Sequence, residues 1–360
     1  MTGNRLRTAR IGFQILLTAG FLGLLAWRVD IGEAFSTFSD AQWAWLPAGL
    51  IIFTLSKALH TARWRIFLGS HRSLPLSGLF GIFLIHNMVN AVLLLRAGDV
   101  VRIQTTAQRY KIARSELTAT VVVVESVLDG LSFALLVGVA FALGSIPGSL
   151  QAAFWTLAGL ALLGFALSTI AARWIRPEGL VALVPQRWLS EERRRGVVAS
   201  LDRFLDGMRS LREWRLAAPA IVLSVTGWLM EAWAYWCFGQ AFGLDLGFGG
   251  YLLIMITANF VVSIPITPSG IGPFEVATQE LIVLLGEERA LAAGFAIGIH
   301  LSFIVWITLT GLAAMWLMRL RPSDIFYLSG PPRAEARPPP AEAESPPETD
   351  VVPPSREAPP

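Results

Sequence analysis

Three acidic residues and one histidine lie inside long apolar segments of the chain, namely Glu125, Asp129, Glu231 and His300. An ionisable side chain is costly in hydrocarbon, so each one indicates either a function or a fixed partner. We consider all four as an intramembrane charge or proton site. For Glu231 and His300 the alternative is a hydrogen-bonded packing residue.

Glu125 and Asp129 are four residues apart, so a helix presents them on one face. At 1.5 Å per residue they lie roughly 12 and 18 Å from a helix start at Leu117, near the centre of a bilayer. Two neighbouring carboxylates require a nearby cation or a bound proton. A proton or counter-ion site and an ion pair to Arg96 or Arg102 both remain open.

A second group of residues surrounds a predicted turn at 95–102. Gly98 permits a tight backbone turn. Arg96 and Arg102 could bind a phosphate through their guanidinium forks, which would suit an anionic head group. The alternative is that Asp99 caps the turn and pairs with Arg102, with no ligand involved.

A third group lies in a stretch rich in proline and glycine, 264–275. Gly270 and Gly272 free the backbone and the prolines remove donors, so a continuous helix is not expected. Glu275 would lie at the start of the returning helix, where a carboxylate is favourable. We expect a broken helix that points polar groups inward, or a purely structural hairpin capped by Glu275. No Gly-Lys-Ser/Thr follows, so it is not a phosphate loop.

The composition predicts an integral membrane protein. The 360 residues are 54% hydrophobic and 15% charged, against roughly 25% charge in soluble domains, and the mean hydropathy is +0.57. The net charge of +3 comes from basic residues in short loops, so we predict no nucleic-acid partner. One cysteine, Cys237, allows no disulfide within the chain. We expect no metal and no cofactor, because no ligand spacing or nucleotide fingerprint occurs.

The spans are predicted from apolar runs and flanking charge. The runs are Ile11–Trp27, Trp43–Leu59, Leu79–Leu95, Leu117–Leu143, Ala152–Ala172, Leu216–Phe242, Tyr251–Leu285 and Ala290–Met318. Lys and Arg concentrate on the cytoplasmic side, so Arg63 is assigned to an inner loop. Both sides of Leu79–Leu95 are basic and both sides of Tyr251–Leu285 are acidic, so these two runs are predicted to enter and return.

The predicted fold is therefore all-α, with six full spans and two re-entrant broken hairpins. Residues 11–143 and 152–318 repeat the same order with opposite orientation, which is an inverted repeat typical of secondary transporters. The membrane domain covers 1–321, and 322–360 is predicted to be a disordered, proline-rich cytoplasmic tail. We expect a bacterial inner membrane location, with both termini cytoplasmic.

Together these motifs resemble a known family. Arg-Ala-Gly-Asp-x-x-Arg at 96–102, Glu-x-x-x-Asp at 125–129 and Pro-x-x-Pro-Ser-Gly-Ile-Gly-x-x-Glu at 265–275 are similar to the lysylphosphatidylglycerol synthase transmembrane region, or flippase-like domain. Ser269 stands where many members have a second glycine. The resemblance implies a membrane domain that flips lysyl-phosphatidylglycerol or acts in glycolipid or polyprenyl-linked pathways. No room is left here for an aminoacyltransferase domain.

The sequence thus favours a lipid flippase over an enzyme. Its expected partner is a membrane lipid with an anionic phosphate or a polyprenyl-phosphate-linked sugar. One alternative is a membrane-embedded transferase with a lipid-linked donor, in which Glu125, Asp129 or Glu275 would be the base. Another is a non-catalytic partner of lipid-biosynthesis proteins, docked through the tail.

Overall fold

The computed structural model describes residues 39, 41–68, 73–93, 97–144, 146–174, 191–209, 213–264 and 267–321. The first predicted span, the predicted tail and Arg96 lie outside the described residues. The described helices are α1 Trp45–Phe67, α2 Leu76–Val92, α3 Ala97–Tyr110, α4 Arg114–Ala142, α5 Gly148–Trp174, α6 Glu191–Arg209, α7 Trp214–Phe242, α8 Phe248–Ser263, α9 Pro273–Leu284 and α10 Arg289–Leu317.

The described elements are helical, in agreement with the predicted all-α class. Among the described residues, four helices are long and apolar enough to cross a membrane: α4, α7 and α10 over their full length, and α5 over Gly148–Ser168. Helix α5 is largely exposed, as expected for a lipid-facing helix, whereas α8 is buried without interruption over 249–256. A helix that is apolar on all sides belongs in the interior of a bundle.

The prediction that Arg63 lies in a loop is wrong. Helix α1 continues to Phe67, eight residues beyond the predicted span end at Leu59, and Arg63 is 2% exposed. Basic residues at the end of an apolar run are typical of a loop, but here two carboxylates on the neighbouring helix α4 compensate the buried charge.

Two pairs of short helices lie at the runs predicted to be broken hairpins, but only the second pair coincides with its run. Helices α8 and α9 correspond to the run 251–285, whereas α2 crosses most of 79–95 as one continuous helix and α3 lies beyond that run. Helices α2 and α3 have 17 and 14 residues, and α8 and α9 have 16 and 12. A helix of 17 residues is roughly 25 Å long, which is less than the roughly 30 Å of a hydrocarbon core. In each pair the second helix packs back against the first.

Glycine determines the geometry of both breaks. The Gly98 N–H donates to Asn90 Oδ1 at 2.8 Å, and a Cβ at Gly98 would lie 2.2 Å from the His86 carbonyl oxygen. In the second break Gly270 and Gly272 have φ values of +77° and +94°, which favour glycine. Proline then occupies the first position of α9. A backbone N–H at this position would have no partner within the helix, so its absence in proline costs nothing.

The two pairs pack in a reciprocal way. Helix α2 packs on α10, the last helix of the second half, and α8 packs on α4, the last predicted span of the first half. The returning helices α3 and α9 pack on α4 and α10, and α1 packs along α7. If each helix is replaced by its counterpart in the other half, the same set of helix contacts results.

Helix α4 contains a π-helical segment, Ala119–Val124, that ends immediately before Glu125. Such wide turns often occur at functional sites because they redirect the side chains that follow. The Trp64 indole N–H donates to the Thr120 hydroxyl within this segment at 3.3 Å. The irregular turn and its neighbour on α1 therefore set the orientation of Glu125.

Candidate functional site

A cavity of about 540 Å³ lies between the two short-helix pairs and is lined by residues of α1, α2, α3, α4, α7, α8, α9 and α10. Seven of the residues singled out in the sequence line it: Asp99, Arg102, Glu125, Asp129, Glu231, Gly270 and His300. Residues spread over 200 positions of the chain thus meet at one place.

Arg102 and Glu125 form a buried ion pair at the cavity. The guanidinium donates from Nη1 and Nη2 to the two carboxylate oxygens at 2.7 and 2.8 Å. The Arg102 side chain is 1% exposed and stacks over the Trp64 ring, 3.8 Å from its centroid. A two-point charged bond with a cation–π contact holds this pair in one orientation.

Asp129, one helical turn beyond Glu125, pairs with Arg63. The same guanidinium donates to the Ser224 hydroxyl at 2.7 Å, and the Trp228 indole N–H donates to Asp129 at 2.9 Å. Arg63 Nη2 also lies 3.9 Å from Glu125 Oε1. Arg63 therefore bridges the two carboxylates that the sequence predicted to share a helix face.

Glu231 has a cationic partner, Lys57, with Nζ 2.6 Å from Oε2. The Asn259 amide donates to the other oxygen at 2.9 Å. Lys57 also lies over the Phe53 ring, 4.3 Å from its centroid. Because α1 carries the ammonium and α7 the carboxylate, this pair joins two equivalent helices of the predicted halves.

His300 and Glu275 form a buried pair. His300 Nδ1 lies 2.6 Å from Glu275 Oε1, and Nε2 lies 3.1 Å from the Ser269 carbonyl oxygen. The other Glu275 oxygen accepts the Gly272 N–H at 2.6 Å. Both imidazole nitrogens therefore face oxygen atoms, and a neutral imidazole can donate to either the carboxylate or the carbonyl oxygen, depending on its tautomer.

Asp99 lies at the start of α3 near His86, with Oδ1 3.4 Å from Nδ1. The Arg102 guanidinium is directed instead to Glu125. Of the two arginines of the predicted phosphate clamp, Arg96 lies outside the described residues. The other, Arg102, is bonded to an internal carboxylate.

The site contains residues that the sequence analysis did not select. Lys57, His60 and Arg63 line the cavity from α1. Their spacing of three residues places them along one helix face, and this pattern could have identified them. The predicted span ends at Leu59, which places Arg63 in the following loop and not on this helix face.

Charge within the cavity is balanced by pairing. The three lining cations of the described part, Lys57, Arg63 and Arg102, each contact a carboxylate. Unpaired charges at such depth would be strongly destabilising. The two Nη groups of Arg102 are engaged by Glu125, whereas the Nε–H groups of Arg63 and Arg102 have no hydrogen-bond partner among the described residues. Within the described ranges, no group of three or more His, Cys, Asp or Glu side chains is arranged to hold a metal ion.

Comparison with known proteins places these features in context. The chain is 29% identical over 113 residues to a UPF0104 membrane protein of Methanothermobacter thermautotrophicus, covering 30% of this chain and 34% of that protein. It is 26% identical over 322 residues to the glycosyltransferase AglD of Haloferax volcanii, covering 80% of this chain and 51% of that protein. The chain thus spans about a third and about half of these relatives.

The family model described as the lysylphosphatidylglycerol synthase TM region matches residues 11–318. This range includes both short-helix pairs and every paired charge of the cavity. The chain therefore belongs to the lysylphosphatidylglycerol synthase TM region family of membrane proteins.

Proposed function

We propose that the protein is a flippase for a lipid or lipid-linked substrate, an anionic phospholipid or a polyprenyl-phosphate-linked sugar. The observation that carries the proposal is the cavity of about 540 Å³ with paired charges between two broken helix pairs. Such a cavity gives a polar head group a route through an apolar bundle, while the hydrocarbon chains stay in lipid. A cavity that only filled space would be lined with apolar side chains.

The reciprocal packing supports an inverted repeat. Arg102 on the returning helix α3 bonds to Glu125 on α4, and Glu275 on the returning helix α9 bonds to His300 on α10. Each half therefore carries a buried polar contact between the second helix of its pair and its last helix; α9 and α10 are joined in addition by the more exposed Arg289–Glu280 pair. In transporters with inverted repeats, substrate sites lie between such discontinuous helices and access alternates as one half moves against the other. We propose that both pairs are re-entrant.

Carboxylate exchange provides a mechanism for an anionic head group. A phosphate oxygen replaces Glu125 on the Arg102 fork, which binds carboxylate and phosphate with the same geometry. Glu125 then turns toward Arg63, 3.9 Å away. Restoration of the Arg102–Glu125 bond releases the head group. Transport would then depend on Glu125 leaving and rejoining the Arg102 guanidinium.

The test is a leaflet-exchange assay in proteoliposomes containing fluorescent phosphatidylglycerol. Dithionite added outside bleaches the outer leaflet, about half of the signal, and reaches the rest only if lipid moves across. We expect the purified protein to expose the inner pool and Arg102→Ala to slow this exposure at least tenfold. Arg289→Ala, which breaks an exposed bidentate pair, is the matched control. Bleaching that stops at the outer leaflet for phosphatidylglycerol and for a polyprenyl-phosphate-linked sugar would refute the flippase.

A transferase that uses a lipid-linked donor is the second candidate. The relative named glycosyltransferase AglD favours it, and the cavity contains buried carboxylates such as Glu125 and Asp129. A transferase forms a new compound, whereas a flippase returns the lipid unchanged. Mass spectrometry of lipids after incubation with detergent-purified protein, a polyprenyl-phosphate sugar and an acceptor lipid separates the two. A new glycosylated lipid that Glu125→Gln abolishes would favour the transferase.

A further inference from the structure

Two buried polar side chains that line the cavity have no side-chain hydrogen-bond partner among the described residues. They are His60, 3% exposed, and Thr267, 6% exposed. For His60 both ring nitrogens are unpartnered, and for Thr267 the hydroxyl is. Buried polar groups are almost always hydrogen-bonded, so exceptions that face a cavity point to a ligand.

His60 and Thr267 lie on different parts of the fold. His60 comes from α1, where Lys57 and Arg63 lie one turn to either side and are both engaged with carboxylates. Its ring packs against the Trp228 ring, with centroids 4.6 Å apart. Thr267 precedes the short turn Pro268–Gly270 at the break between α8 and α9. A ligand within the cavity can therefore meet polar atoms from both halves.

The chemistry of the unpartnered atoms selects the ligand. A neutral imidazole has one donor and one acceptor, and a threonine hydroxyl both donates and accepts. A phosphate or carboxylate offers only acceptors, which suits the unpartnered Nε–H groups of Arg63 and Arg102 but gives no donor to the imidazole acceptor of His60. An ammonium offers only donors. A hydroxyl does both. Aromatic rings of Trp228, Phe53 and Phe274 supply flat apolar walls beside these atoms, as in pockets where a few polar groups fix orientation.

We propose that His60 and Thr267 bind the uncharged hydroxyl groups of the head group, those of a sugar or of a glycerol. This inference rests on the proposed function, because it assigns the polyol part of the lipid to the same cavity. Arg102 then receives the phosphate and the pair His60–Thr267 receives the hydroxyls. Selectivity would therefore follow the hydroxyls of the head group as well as its charge.

Equilibrium binding to the full chain in detergent tests the proposal with short-chain probes. Phosphatidylglycerol and phosphatidylmethanol carry the same charge and differ in the glycerol hydroxyls. We expect phosphatidylglycerol to bind more tightly, and Thr267→Val to weaken it about threefold to tenfold, the effect of one lost hydrogen bond. Phosphatidylmethanol binding should not change. Glucosyl diacylglycerol, which has hydroxyls without charge, identifies a sugar as the source if it competes more strongly than phosphatidylglycerol.

Matched variants separate ligand binding from folding. Thr267→Ser keeps the hydroxyl and should bind like the wild type. Thr278→Val removes a hydroxyl that is also buried and unpartnered but does not line the cavity, and it should have no effect. His60→Leu should act like Thr267→Val, and His60→Gln, which keeps a donor and an acceptor, should restore part of the binding.

Equal affinity for the two phospholipids, or an equal loss for both in Thr267→Val, would overturn the inference and leave the flippase proposal intact. Failure of the flippase proposal alone can also be recognised, because binding is measured without transport. A hydroxyl preference that depends on Thr267, together with no leaflet exchange, would establish the binding site and reject the flippase.

Discussion

Removal of the Arg102 side chain tests the electrostatic design of the cavity. Arg102 is 1% exposed and Glu125 is 12% exposed, so Arg102→Ala leaves a carboxylate in a nearly dry environment. Breaking a buried ion pair in this way costs about 3–5 kcal/mol. Because Arg63 lies 3.9 Å from Glu125 and offsets part of the loss, we expect the lower end, about 3 kcal/mol.

The control is a pair of the same chemistry at the surface. Arg289 binds Glu280 at two points, 2.6 and 3.2 Å, but the two side chains are 38% and 34% exposed. Exposed pairs contribute about 0–1 kcal/mol, so Arg289→Ala should be nearly neutral. The double variant Arg102→Ala/Glu125→Ala should cost less than the sum of its single changes, by about 1–3 kcal/mol.

The assay is denaturant unfolding in detergent. Cys237 is the single cysteine of the chain and is buried, so its reaction with a thiol-specific dye reports unfolding without an added label. The difference between Arg102→Ala and Arg289→Ala is the measured quantity. Equal costs for the two variants, or strict additivity of Arg102→Ala and Glu125→Ala, would refute the description of a buried, coupled pair.

Four further substitutions test other parts of the account with the same unfolding assay. Gly98→Ala should destabilise by about 3 kcal/mol, because its Cβ would meet a backbone oxygen at 2.2 Å, whereas Gly138→Ala, with open space, should stabilise by about 0.5–1 kcal/mol. Glu231→Ala should cost about 3 kcal/mol by leaving Lys57 without its carboxylate; a cost below 1 kcal/mol would contradict this. Glu275→Gln should cost about 1–3 kcal/mol through the lost charged cap, and an unchanged stability would argue against the cap.

Much of the site could be predicted from residue type alone. An ionisable group in an apolar run is costly and therefore indicates a function or a fixed partner. This applies to Glu125, Asp129, Glu231 and His300. All four line one cavity. The break between α8 and α9 also followed from local chemistry, because Pro268, Gly270 and Gly272 disfavour a continuous helix. The first hairpin was predicted from flanking charge, and α2 crosses most of that run as one continuous helix.

The partners of these residues could not be predicted, because they come from tertiary packing. Asp129 pairs with Arg63, 66 residues away, and Glu231 with Lys57, 174 residues away. Flanking charge misassigned Arg63, because a basic residue that is neutralised inside a bundle has the same local sequence as one in a loop. His60 alone gave no signal, since a histidine near the end of an apolar run is usually a packing residue; only its spacing from Lys57 and Arg63 indicates a shared helix face.

The central claim is that the lipid head group passes through the cavity, and blocking the cavity tests it most directly. Ser126 lines the cavity and is exposed to it, so Ser126→Cys on a Cys237→Ala background places one accessible thiol there. A bulky thiol reagent should stop leaflet exchange in this variant. The same reagent on Ser200→Cys, on the exposed helix α6, should leave exchange unchanged. Full exchange after complete labelling of Ser126→Cys would contradict the account.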